Sequence, residues 1–160
     1  MFLYNIGIRL YSLLICLAAP FHEKAKLLKK GRKNSLKTLP SIQRNSQRLV
    51  WVHAASLGEF EQGRPVIEKI KQLEPDTLIL LTFFSPSGYE IRKHYPGADY
   101  ILYLPADTRE HARRLIGTFK PDAAVFIKYE FWYHYLHELN RQHIPVVLIS
   151  AIFRPGQPFF

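Results

Sequence analysis

Three short stretches of this sequence carry residue types that could do chemistry. The first runs from His53 to Glu59 and sets a carboxylate beside Gly58, just after an apolar run. A carboxylate there, with a glycine permitting close approach, suits a general base acting on a sugar hydroxyl. An acid in the first turn of a helix also serves as a cap and a partner for the helix dipole, so the pattern alone leaves both readings open. The second stretch, Ser85-Pro86-Ser87-Gly88, precedes a short helical segment. Its hydroxyls and free backbone N–H groups make either a phosphate or sugar site or a plain N-cap and turn. The third, Lys128-Tyr129-Glu130, puts a cation and an anion two residues apart, so both side chains can lean the same way at a sheet edge. Either they pair with each other, or Lys128 stabilises developing charge while Glu130 orients it.

Other chemistries are argued against. A dinucleotide-binding turn would carry G-x-G-x-x-G after the first strand. Here that loop has only Gly58 and Gly63, with Glu59 and Glu61 between them, and carboxylates repel a pyrophosphate. The seven histidines are scattered. His134 and His137 are three apart with no third ligand nearby, so they are expected on the solvated surface and no metal is expected. The single cysteine, Cys16, excludes an internal disulfide.

The elements that must position these residues alternate along the chain. Leu49–Ala54 (LVWVHA) is a short β-rich run, and Val66, Ile67, Ile70 and Leu73 have helical spacing up to Glu74-Pro75-Asp76. Thr77–Phe84 is apolar throughout, as in a strand covered on both faces. A short helix around Tyr89–His94, a strand at Tyr100–Leu104 and a helix carrying Ala112, Leu115, Ile116 and Phe119 follow. Asp107, with Glu110 three residues on, reads as the capping-box start of that helix. Ala123–Ile127, a helix marked by Trp132, Leu136 and Leu139, and a strand at Pro145–Ser150 complete the series. Strand alternating with helix predicts an α/β, Rossmann-like doubly wound parallel sheet. Ligands then sit outside the carboxyl ends of the strands, where all three stretches fall.

Charge divides the chain. Residues 1–48 hold ten Lys/Arg against the single acid Glu23, whereas residues 49–160 hold twelve of each, so the whole excess of +9 lies in the N-terminal arm. Such an arm seeks an anionic surface. Residues 1–21 are mostly apolar, and Asn5, Arg9, Ser12 and Cys16 fall on one narrow helical stripe. The run from Leu10 to Phe21 is short for a span, and the basic cluster Lys24–Lys33 follows at once, a positive-inside pattern. The expectation is a membrane-associated helix over 1–21, spanning or lying in the interface, then a basic connector over 22–47 and the α/β domain over 48–160. The arm from Glu23 to Arg48 lacks aromatic residues for base stacking, which argues against nucleic acid.

At these residues the sequence resembles a known family. The blocks WVHAASLGEFEQGRPVIEKI (51–70), LTFFSPSGYE (81–90), YLPAD (103–107), KYEFW (128–132) and SAIFRPGQPFF (150–160), with KGRKN (30–34), are similar to the N-terminal half of the 3-deoxy-D-manno-octulosonic acid (Kdo) transferases. The resemblance implies the acceptor-binding half of a two-domain, B-type glycosyltransferase on the cytoplasmic face of the cell inner membrane. It implies inverting transfer of Kdo from CMP-Kdo to the lipid A precursor without cofactor or metal. Carried onto this chain, it makes Glu59 the proton acceptor and Lys128 the transition-state stabiliser. Many members have an acid where Lys128 stands. Ser56, Gly58, Ser85, Ser87, Gly88 and Glu130 would contact the acceptor. The donor-binding half is not in this sequence, so the isolated chain is expected to be inactive. Another membrane-bound glycosyltransferase of the same fold, or a non-enzymatic membrane-binding module, are the alternatives.

Overall fold

The computed structural model describes residues 2–37 and 44–151. Part of the stretch joining the arm to the domain, and the 150–160 block beyond Ala151, therefore lie outside the described residues. Five strands, β1 (Leu49–Ala54), β2 (Leu78–Phe83), β3 (Tyr100–Tyr103), β4 (Ala123–Ile127) and β5 (Val146–Ile149), form one sheet in the order β3-β2-β1-β4-β5. Every pairing is parallel. The helices are α1 (Phe2–Ala18), α2 (Glu23–Lys37), α3 (Leu57–Leu73), α4 (Pro86–Arg92), α5 (Arg109–Phe119) and α6 (Tyr133–Arg141). Strand order reverses between β1 and β4, which is where doubly wound sheets open a crevice.

The two-residue period of the strands sorts the core onto two faces. Leu49, Trp51, Leu80, Ala124 and Phe126 pack against Ala112, Leu115, Ile116 and Phe119 of α5 and Tyr135 and Leu139 of α6. Val52, Ala54, Ile79, Leu81, Phe83 and Ile127 pack on the other side with Phe60 and Ile67 of α3. Central strands buried on both faces explain why their sequences are apolar without alternation. Gly63 brings α3 close to β4: a Cβ there would stand 2.2 Å from Ile127 Cδ1. That close approach fixes where the first turn of α3, and with it Glu59, meets the sheet.

The structure departs from sequence expectation in three places. Within the stretch expected as a basic connector, Glu23–Lys37 forms helix α2, which the sequence reading did not foresee. Leu28, Arg32 and Ser35, at helical spacing, are buried, while Lys24, Lys26, Lys29, Lys30, Lys33 and Lys37 face solvent. Lysine density hid a narrow buried stripe. Asp107 does not cap α5. Thr108 does, its hydroxyl accepting from the His111 N–H at 3.2 Å. Asp107 reaches across instead to the start of α6. His134 is buried rather than solvated, 6% exposed, because α1 covers it.

Candidate functional site

The β1 end turns directly into α3. Ser56 is its extended N-cap, and Glu59, in the first turn, supplies the carboxylate half of a capping box. Glu59 Oε2 accepts from the Ala55 N–H at 2.6 Å and the Ser56 N–H at 3.1 Å. Both bonds fall on one oxygen, and Oε1 has no hydrogen-bond partner among the described residues. The side chain is only part-buried, and Gly58 beside it opens onto free space. The two readings of Glu59 are thus compatible. One oxygen pins the carboxylate to backbone donors, and the other stays available.

The β4 end faces it across the switch point. Lys128 has a left-handed backbone, φ 65°, and its N–H donates to the Ile149 carbonyl at 2.8 Å. That kink throws the following residues back over the sheet edge. No ion pair joins Lys128 to Glu130 among the described residues. Glu130 turns instead toward His53, with Oε2 3.8 Å from Nε2. His53 is fully buried. The Trp132 indole N–H, which can only donate, points at His53 Nε2 from 3.2 Å. Nε2 is therefore the acceptor, and Nδ1 carries the proton toward Thr82, 2.9 Å from its hydroxyl and 3.1 Å from its carbonyl oxygen. Trp51 Nε1 donates to the same hydroxyl at 2.8 Å. This buried polar chain fixes Trp132 and the loop that holds Glu130. Sequence reasoning included His53 in the β1-end stretch but gave it no role; the signal was a single imidazole inside an otherwise apolar strand.

At the β2 end, Phe84 stacks on Trp132 at 4.7 Å and on Tyr11 of α1 at 6.0 Å. The Arg32 guanidinium from α2 lies 4.5 Å from its ring centre. Burial pulls the Arg32 pKa below its ordinary value, opposed chiefly by Tyr11. The next residues are quieter. Ser85 is the N-cap of α4, its hydroxyl 2.7 Å from that of Ser87. Gly88 is buried, and a Cβ there would meet the Phe83 ring. The close approach of α4 to β2 thus gives Gly88 a packing role.

These strand ends enclose a depression of about 440 Å³, walled by Ala55, Phe84, Glu130 and Trp132, with Tyr4 and Ile8 of α1 closing it. A larger hollow, about 700 Å³, lies at the opposite, amino ends of β1 and β2, away from every residue above. Helix α1 is held to the domain by polar contacts. The Tyr4 hydroxyl donates to Asp107, and His134 Nε2 lies 2.6 Å from Asn5 Oδ1. Asp107 also accepts from the His134 and Tyr135 N–H groups at 3.0 and 3.1 Å. Burial first, then the bond to Asp107, raises the Tyr4 phenol well above its usual pKa. With Tyr4 and Asn5 turned inward, α1 leaves Phe2, Leu3, Leu10, Leu13, Leu14 and Leu17 exposed. No helix among the described residues is long and apolar enough to cross a membrane.

Sheet order, parallel pairing and polar side chains gathered at the β1–β4 switch define the class: a Rossmann-like, doubly wound α/β domain. A solved UDP-N-acetylglucosamine 2-epimerase shares the fold, with a TM-score of 0.53 at 14% identity over 71% of this chain and 36% of that one. The family is narrower. The chain belongs to the 3-deoxy-D-manno-octulosonic-acid transferases (kdotransferases), whose family model matches residues 22–158. The 3-deoxy-D-manno-octulosonic acid transferase of Haemophilus influenzae is 29% identical over 103 residues, 64% of this chain and 24% of the relative. A probable mitochondrial one from Arabidopsis thaliana is 32% identical over 113 residues, 70% and 25%. That of Aquifex aeolicus is 34% identical over 90 residues, 56% and 25%. The chain thus spans about a quarter of the length of the curated relatives it matches.

Proposed function

We propose that this chain is the acceptor-side half of a Kdo glycosyltransferase that moves Kdo from CMP-Kdo to the lipid A precursor with inversion. The observation that carries the reading is Glu59. In a chain of this family, its carboxylate is anchored through Oε2 at the β1 end and has Oε1 unengaged. The acceptor hydroxyl gives its proton to Oε1 as its oxygen attacks the Kdo anomeric carbon, and CMP leaves from the opposite face. Two backbone N–H bonds hold the carboxylate in place, so orientation is provided before the acceptor arrives. The Lys128 ammonium, which makes no ion pair among the described residues, offsets negative charge on the far side of the switch point. Ser56, Gly58, Ser85, Ser87 and Glu130 border the acceptor's approach, and the chemistry assigned to these residues needs no metal or cofactor.

The acceptor is a lipid, and the arm suits a membrane surface. The outward apolar face of α1 and the outward lysines of α2 fit a helix pair lying in the interface on the cytoplasmic face of the inner membrane. The decisive experiment is Glu59→Gln in the full-length enzyme. Turnover should fall by more than a hundredfold, within the range of a lost general base, about 10² to 10⁴, while acceptor binding holds. Activity within tenfold of the parent would show that Glu59 is not the base.

A further inference from the structure

Trp132 stands where helix chemistry alone would not put it. It is the N-cap of α6, yet its side chain makes no capping bond. N-caps are ordinarily Ser, Thr, Asp or Asn, whose side chains accept from the first turn. Here Asp107 does that work from the loop between β3 and α5, accepting from the His134 and Tyr135 N–H groups at 3.0 and 3.1 Å. The N-cap position is thereby free for an indole. That indole stacks on Phe84 at 4.7 Å and lines the strand-end depression together with Phe84 and Glu130. Its backbone N–H donates to the Glu130 carbonyl at 3.0 Å, which ties the ring to the Glu130 loop. The side chain's own anchor is His53, whose Nε2 accepts from Trp132 Nε1 at 3.2 Å. His53 has no exposed surface and does not line the depression, so it cannot touch a ligand there. Nor does it bond Glu130 directly. The 3.8 Å between Glu130 Oε2 and Nε2 is beyond hydrogen-bonding range, and an accepting Nε2 offers a carboxylate nothing. Its hold on the site runs through the indole. Thr82 fixes the other half of the ring and sets the tautomer that leaves Nε2 open to Trp132. A polar group this deep costs stability unless its partners are met. Packing alone would be served by an apolar residue, as at Val52 and Ala54 on either side.

We propose that His53 is a positioning residue of the acceptor site. By accepting from the Trp132 indole it holds that ring, and with it the Glu130 loop, in the wall that the acceptor meets. This rests on the acceptor reading above and assigns a part in it to a residue that never contacts the substrate.

The test has two parts. In the full 160-residue chain, the Trp132 indole N–H resonance is identified by its loss in Trp132→Phe. It should move upfield in His53→Leu, which cannot accept, and stay near the parent position in His53→Gln, whose amide oxygen can. In the full-length enzyme, His53→Leu should raise the acceptor KM about three- to tenfold, the scale of one lost hydrogen bond. Both kcat and the CMP-Kdo KM should stay within about twofold, as for a loss of binding alone. His53→Gln should recover most of the acceptor KM. Trp132→Phe should raise that KM as well, and adding His53→Leu to it should change little further, because the two residues act as one. A resonance unmoved in His53→Leu overturns the contact. Independent, multiplying effects of the two substitutions, or a fall in kcat at unchanged acceptor KM, overturn the positioning role and leave a purely structural one. Where His53→Leu unfolds, His53→Asn takes its place with the same expectations: its amide keeps a donor toward Thr82 and is too short to reach the indole. A parent enzyme that transferred no Kdo would refute the acceptor reading itself, whereas transfer with an unmoved acceptor KM in His53→Leu refutes this proposal and leaves that reading standing.

Discussion

Replacing Gly31 by alanine tests whether α2 is seated on the domain. On an isolated helix this change is favourable, by about 1 kcal/mol. In the folded chain a Cβ at Gly31 would stand 2.2 Å from both Cδ2 and Cε2 of Tyr103. That ring cannot swing aside freely. It lies against the tilted ring of Tyr89 with centres 4.1 Å apart, its hydroxyl donates to Glu90 at 3.0 Å, and its backbone N–H donates to Ser35 Oγ at 3.1 Å. Overpacking of a constrained site costs about 1–3 kcal/mol, and three anchors put this one at the upper end. The net expectation is a loss of about 2 kcal/mol, or roughly 4–8 °C in melting temperature for a chain of this size. Gly117, on the exposed face of α5, is the internal control, since a Cβ there meets nothing within 4 Å. Gly117→Ala should therefore raise the melting temperature by about 2–4 °C. Thermal unfolding of both variants, followed by circular dichroism or calorimetry, gives opposite signs if α2 is docked. An equal rise in both would refute the seating of α2 on Tyr103, and with it the placement of Arg32 against Phe84.

Two further predictions concern charges in the scaffold. Glu138, on α6, is almost fully buried and receives Arg141 Nη2 at 2.6 Å, Arg141 Nε at 3.0 Å and Gln142 Nε2 at 2.7 Å. The Arg141 hydrogen bond, then Gln142 and the charges of Arg141 and Arg113, outweigh burial and hold its pKa at about 2. A depressed carboxylate stabilises the fold above its unfolded value and loses that contribution as pH falls through the folded one. Glu138→Gln should thus cost roughly 1–2 kcal/mol near neutrality, allowing for the solvent-screened arginine. The gap to the parent should begin to close below pH 4.5 and vanish near pH 2. A gap that stays constant over that range in acid unfolding curves would contradict the assignment. Asp107→Asn replaces an acceptor-only group by one that brings two N–H donors among three existing donors. It should destabilise by about 2 kcal/mol and speed hydrogen exchange in the first turns of α1 and α6 together. Faster exchange in α6 alone would mean that Tyr4 does not depend on Asp107.

What could be read from the sequence follows the range of each interaction. The strands and the α3 and α5 stripes were legible because periodicity is local: Ala112, Leu115, Ile116 and Phe119 are all buried, as their spacing demands. The residues that join elements were not. Asp107 looks like a capping residue for the helix that follows it, and only the chain reversal through α5 and β4 reveals that it caps α6 instead. His134 looks solvated until α1 lies over it. Arg32 is one basic residue among many until the helix puts it opposite Phe84. In each case the partner is distant in sequence, and a one-dimensional pattern carries no information about it.

Glu59 shows why the two kinds of knowledge are needed together. Its spacing suits a cap, its proposed role is that of a base, and treating these as rivals assumes that one carboxylate does one thing. The structure places two backbone donors on Oε2 and none on Oε1 among the described residues. The bonds to Ala55 and Ser56 remove rotational freedom that a long side chain would otherwise lose on meeting a partner. A carboxylate held by its own helix start is oriented at little cost. Shortening it is then as informative as neutralising it. On the proposed role of Glu59, Glu59→Asp keeps the charge but is too short to span from the first turn of α3 to both N–H groups, so it should lose activity through geometry alone, while Glu59→Gln keeps the reach and loses the proposed proton acceptor. If both variants were slow for these separate reasons, stability would fall mainly in the first and proton transfer fail mainly in the second.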